Sequence, residues 1–154
     1  QLEEKDVLKG IVLVASPPPD LISFTNTGSK HLQNQFQINL IGPQALLKGL
    51  IKKFYQKKNP GTIIGVLTNA IGSDSQLPVA GMSSYIIAKS ALKTMLQTCK
   101  SEFPWLKIKT VTPGFTKTKM LDVFDSRFIE ILNSQKKISS PEYVAKTIVK
   151  EIIS

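Results

Sequence analysis

The sequence predicts an α/β fold built on a parallel sheet, and three observations carry the prediction. Strand-length apolar segments recur at 10–15, 63–68 and 106–111, the first of them continuous. Segments with helical periodicity, at 32–58 and 83–103, separate them. A strand that is apolar throughout is buried on both faces, and helices alternating with such strands are the crossovers that join parallel neighbours. A length of 154 residues corresponds to a single domain, 1–154, and 42% hydrophobic residues suffice for a core.

Each element has its own warrant. Gly10-Ile11-Val12-Leu13-Val14-Ala15 reads as the first strand, and Ser16-Pro17-Pro18-Pro19 stops it because proline offers the ladder no donor. A polar loop over 23–30 leads into a long helix whose stripe carries Phe36, Leu40, Leu47, Leu50, Ile51 and Phe54. His31 reads as a surface residue of that loop, and Asn59-Pro60-Gly61 closes the helix. Within it, Asn39 lies four residues before Pro43. An α-helix would pair the carbonyl of residue 39 with the amide of residue 43, and proline has no amide hydrogen. Either the helix kinks and leaves that carbonyl for a water, or a helix begins at Pro43 with Asn39 in its entry turn. Strand 63–68, a loop over 69–82, the helix 83–103 and strand 106–111 follow. A Pro113-Gly114 turn, a helix near 122–134 and a final helix opened by Ser140-Pro141-Glu142 complete the chain.

The net charge is +9, almost all of it lysine, with Lys52, Lys53, Lys57 and Lys58 forming the densest group. Cations at a helix C-terminus complement its dipole, and the missing arginines and interleaved aromatics argue against a nucleic-acid partner. The lone Cys99 has no disulfide mate, and no Cys/His cluster suggests a metal site. No run approaches the roughly 18 apolar residues of a membrane span. A cytoplasmic location is expected.

Tyr85 and Lys89 carry the chemistry. Four residues apart on one helix, a phenol and an ammonium share a face. A cation there is expected to lower the tyrosine pKa and make its hydroxyl a proton donor near neutral pH. The bland alternative is a half-buried tyrosine beside a snorkelling lysine.

Strand, loop, Tyr-x-x-x-Lys helix, strand and the turn Pro113-Gly114-Phe115-Thr116-Lys117-Thr118, in that order, resemble the short-chain dehydrogenase/reductase family. The resemblance runs from about residue 10 to the C-terminus and is densest over 61–120. It implies a Rossmann-like doubly wound parallel sheet, present only in part, with about three of the usual seven strands. It also implies an NAD(P)-dependent oxidoreductase that reduces carbonyls or oxidises alcohols. Tyr85 would be the general acid, and Lys89 would bind the nicotinamide ribose. Asn39 would carry the proton-relay water, and Pro113, Gly114 and Thr118 would line the cofactor site. The family serine stands thirteen residues before the tyrosine, which here is Gly72. Aligning strand ends offers Thr68 or Asn69 instead, with Ser73 and Ser75 nearby. As bare sequence these are ordinary loop residues.

Two departures accompany the resemblance. The Thr-Gly-x-x-x-Gly-x-Gly turn that holds the cofactor pyrophosphate has no counterpart, Thr27-Gly28 being the only Thr-Gly pair. Where the family has Asn-Asn-Ala-Gly, this chain has Ala15-Ser16-Pro17-Pro18. The missing strands are expected before Gln1, which makes the chain the C-terminal catalytic half of a longer enzyme. NAD and NADP are not distinguished, because the deciding residues would lie upstream. The resemblance also implies a homo-oligomer formed through helices 32–58 and 83–103. The alternative is a catalytically inactive interaction or dimerisation domain of the same fold.

Overall fold

The computed structural model describes residues 8–57 and 59–153. Strands β1 (Gly10–Leu13), β2 (Thr62–Val66) and β3 (Lys107–Val111) form one parallel sheet in the order β1-β2-β3. Leu13 stands beside Gly65, and Gly65 beside Thr110, so all three strands end at one level. Ligands of open α/β sheets bind at that carboxyl edge. β1 is shorter than its apolar run. Val14 is already exposed, because the proline triplet that follows draws the chain out of the sheet.

A single long helix crosses from β1 to β2 in three parts. These are α1 (Ser29–Phe36), a π-helical turn (Gln37–Ile41) and α2 (Gly42–Lys53). In the π-turn the amide of Gly42 reaches the carbonyl of Gln37. The helix therefore neither starts at Pro43 nor breaks there. It absorbs the missing proline donor by widening one turn. It begins earlier than expected, at Ser29, and ends at Lys53 rather than 58. His31 corrects to a helical residue, whose Nδ1 accepts from the amide of Gly28 at 3.1 Å and caps the helix start.

α3 (Ser83–Glu102) links β2 to β3. Beyond β3 lie a short 3₁₀ turn (Lys119–Val123), α4 (Ser126–Ser134) and α5 (Pro141–Ile153). The helix expected near 122–134 is thus two pieces, because Asp125 caps α4 by accepting from the amide of Arg127 at 2.8 Å. Ser140 caps α5 in the same way through the amide of Tyr143.

The main core lies between the sheet and the two long helices, where Leu13, Ile63 and Ile108 meet Leu47, Leu92 and Leu96. Gly65 permits the closest approach, since a Cβ there would run into the Leu96 side chain. α5 packs on the opposite face, where Lys109 Nζ donates to the Glu151 carbonyl at 2.9 Å. Among the described residues no further strand pairs with the outer edges of β1 and β3. No helix among them is long and apolar enough to cross a membrane, and they hold no metal-binding cluster.

Candidate active site

At the carboxyl ends of the strands lies a cavity of about 430 Å³. Its floor is the exit of β2, from Val66 to Ala70, and α3 brings Tyr85 and Lys89 to one side. Pro113, Gly114 and Thr118 from the turn after β3 face them, and Ser16 and Pro19 close the β1 end.

Tyr85 is 7% exposed and Lys89 2% exposed, so both head groups are withdrawn from bulk water. Burial pushes the Tyr85 hydroxyl above its usual range, and a hydrogen bond with Thr68 pulls it partly back. The net direction corrects the expected lowering by Lys89. That ammonium lies 5.9 Å from the phenol ring centroid, and its own pKa falls to about 8 because burial penalises the charge. Lys89 Nζ donates to the carbonyl of Val66 at 3.0 Å. An ammonium carries three donors, so two remain for hydroxyls entering the cavity.

The candidates for the serine position separate cleanly. Thr68 is buried, accepts from the amide of Ala70 at 3.2 Å and lines the cavity with Tyr85. Asn69 turns the other way. Its amide donates to the carbonyl of Pro113 at 3.0 Å, and its side chain lies where a Cβ on Gly114 would meet Nδ2 at 3.1 Å. Asn69 still lines the cavity, on the Pro113-Gly114 side. Ser73 lies outside it, in an exposed turn closed by Gln76 and hydrogen-bonded to Ser75. Thr118 lines the rim, its hydroxyl accepting from the amide of Met120.

Asn39 is wholly buried in the π-turn, behind the cavity wall. Its Nδ2 donates to Gln35 Oε1 at 2.9 Å, and Gln35 Nε2 donates to the carbonyl of Pro18 at 2.7 Å. Two buried amides thus tie the helix to the proline loop that forms one cavity wall. Gln35 has a sequence signal, its i,i+4 spacing to Asn39, but nothing local indicates Pro18 as the partner. Ser84, wholly buried, anchors the same loop through Asp20 at 3.2 Å.

A partial doubly wound parallel sheet with a Tyr-x-x-x-Lys helix at its carboxyl edge defines a Rossmann-like scaffold. The chain belongs to the short-chain dehydrogenase family, whose model matches residues 8–127. Curated protein sequences yielded no match. Several solved structures share the fold. 4-Hydroxyisoleucine dehydrogenase complexed with NADH superposes with a TM-score of 0.80 at 15% identity, over 98% of this chain and 63% of that one. The KRED1-Pglu enzyme gives 0.78 at 15% identity, over 95% and 63%. An alcohol dehydrogenase from the archaeon Thermococcus sibiricus, complexed with 5-hydroxy-NADP, gives 0.72 at 15% identity, over 92% and 55%. This chain therefore spans less than two thirds of the length of the structures it resembles.

Proposed function

We propose that this chain is the proton-donating and substrate-binding part of an NAD(P)-dependent oxidoreductase that interconverts a carbonyl compound and its alcohol. The observation that carries the reading is Tyr85, buried at the cavity wall beside Thr68, with the Lys89 ammonium 5.9 Å from its ring centroid.

The residues present fit the nicotinamide end of such a cofactor. Lys89 retains donors for ribose hydroxyls, and Gly114 leaves the turn after β3 without a side chain at the cavity. The sequence supplies no Gly-rich turn for the pyrophosphate, so affinity for the isolated chain is expected to be weak. When bound, the cofactor supplies or accepts the hydride at the substrate carbon. In the reducing direction Tyr85 releases its proton to the substrate oxygen as the carbonyl becomes an alcohol. Because burial keeps the phenol protonated at neutral pH, it is in the form the step consumes. Thr68 holds the phenol oxygen and donates to the tyrosinate left behind. Lys89 opposes the same developing charge. The Gln35–Asn39 pair fixes the proline loop that closes the β1 end of the cavity.

NADH and NADPH titrations followed by cofactor fluorescence, together with single-turnover carbonyl reduction, test this reading. Tyr85→Phe is expected to lower the reduction rate by about 10²–10⁴-fold while leaving cofactor binding nearly intact. An unchanged rate would remove Tyr85 from the chemistry.

The helices α1–α2 and α3 would also carry the homodimer, since Ile38, Ile41 and Ile87 all point outward and are exposed.

A further inference from the structure

From the cavity lining we infer that the substrate is an uncharged carbonyl compound with an aromatic group next to its carbonyl. The inference rests on the reading of Tyr85 as proton donor, because that hydroxyl fixes where the carbonyl oxygen must lie.

Phe115, Phe124 and Phe128 form one aromatic wall. Phe124 stacks on Phe128 at 5.4 Å between centroids and 24° between planes. Phe115 meets both edge-on, at 5.6 Å from Phe124 and 5.5 Å from Phe128. Phe115 and Phe124 line the cavity, and Phe128 buttresses them from behind. Phe124 also packs against the buried cluster of Ala70, Met82 and Tyr85. The aromatic wall therefore begins beside the reacting hydroxyl.

Charge points the same way. Among the described residues the cavity has one charged lining side chain, Lys89, whose Nζ donates to the Val66 carbonyl and whose remaining donors the nicotinamide ribose would take. A carboxylate or phosphate placed against the phenylalanines would lose its hydration with no cation to replace it. A neutral ring loses little and gains offset or edge-to-face contacts with Phe124 and Phe115. The volume lies in the range of about 300–1,000 Å³ that holds drug-sized molecules. Thr68 and Tyr85, both in the lining, are the polar groups beside Phe124 that can orient a carbonyl.

Saturation-transfer NMR and calorimetry with three ketones test the inference: acetophenone, cyclohexyl methyl ketone and 4-acetylbenzoate. Acetophenone is expected to bind at about 1 mM or tighter, and 4-acetylbenzoate at least tenfold more weakly. Phe124→Ala should weaken acetophenone about tenfold. Phe124→Leu keeps an apolar side chain and the fold, and should abolish the preference for acetophenone over cyclohexyl methyl ketone. Near-UV circular dichroism checks that each variant is folded. No acetophenone binding, equal or tighter binding of the carboxylate, or indifference to both Phe124 variants would overturn the inference. NADPH-dependent turnover separates the two readings. Reduction of 4-acetylbenzoate but not acetophenone would sink the aromatic preference and leave the oxidoreductase standing. Acetophenone binding through Phe124, with no NADPH-dependent turnover, would leave the aromatic site standing and sink the oxidoreductase reading.

Discussion

Lys89→Met isolates the energetic cost of keeping an ammonium inside this fold. Lys89 is 2% exposed, and burial lowers its pKa from 10.5 to about 8. Between those two values the unfolded chain binds the proton and the folded chain does not, so stability rises with pH across the window. Below about pH 8 both states carry the proton, and the folded state bears the full penalty. A difference of about 2.5 pK units corresponds to about 3 kcal/mol, at about 1.4 kcal/mol per unit. Methionine has similar length and no charge, so the variant lacks this term. It also leaves the Val66 carbonyl without its donor, but that loss is the same at every pH and cancels in the slope. Urea unfolding at pH 7 and at intervals up to about 10.5 gives both curves. The wild-type chain should gain about 3 kcal/mol relative to Lys89→Met across the window. Parallel curves, differing in slope by less than about 0.5 kcal/mol, would mean that the ammonium is solvated in the folded chain. The account of Lys89 as a buried group of the cavity lining would then fail.

Thr68→Val removes the partner of the Tyr85 hydroxyl while keeping the shape. The tyrosinate absorbance titration should shift to higher pH and carbonyl reduction should slow by about 10–100-fold, with Thr68→Ser restoring both. Gln35→Leu strands the buried Asn39 amide at about 1–3 kcal/mol, while the exposed Pro18 can turn its carbonyl to water; Tm should fall by roughly 2–12 °C in a thermal melt. A fall of under about 2 °C would show the tether to be solvent-bridged. Ile41→Glu places a charge on the outward face of the π-turn and should convert the proposed dimer to monomer in sedimentation velocity. A wild-type chain that sediments as a monomer at tens of micromolar would dispose of that interface.

The sheet was legible because its signal is local: strand-length apolar segments separated by long stretches of helical periodicity mean parallel strands joined by crossovers. Strand ends were less so. Val14 is as apolar as Val12, and only the exit direction imposed by the prolines takes it out of the sheet. Tyr85 and Lys89 were legible through helical spacing, whereas Thr68 and Asn69 were not separable. Side chains at a strand exit point to opposite sides, so a one-residue uncertainty in register exchanges the residue at the phenol for its neighbour. The net pKa direction of Tyr85 was also out of reach, since it depends on burial and not on spacing. The Gln35–Pro18 hydrogen bond joins residues 17 apart and exists only once the loop after β1 has folded back. The aromatic wall likewise assembles from Phe115 and Phe124, which different elements bring together.

The π-turn at 37–41 has a further consequence, as a phase shifter. Residues eight apart on an uninterrupted α-helix, such as Asn39 and Leu47, are offset by about 80° around the axis. The additional residue in the wide turn takes back about 100°, leaving the two within about 20° of each other. That is how one helix can bury Asn39 toward the proline loop and Leu47 against the sheet, both almost fully. Shortening the turn by a single residue would rotate all of α2 relative to α1. The core contacts and the cavity wall could then no longer be satisfied by the same helix.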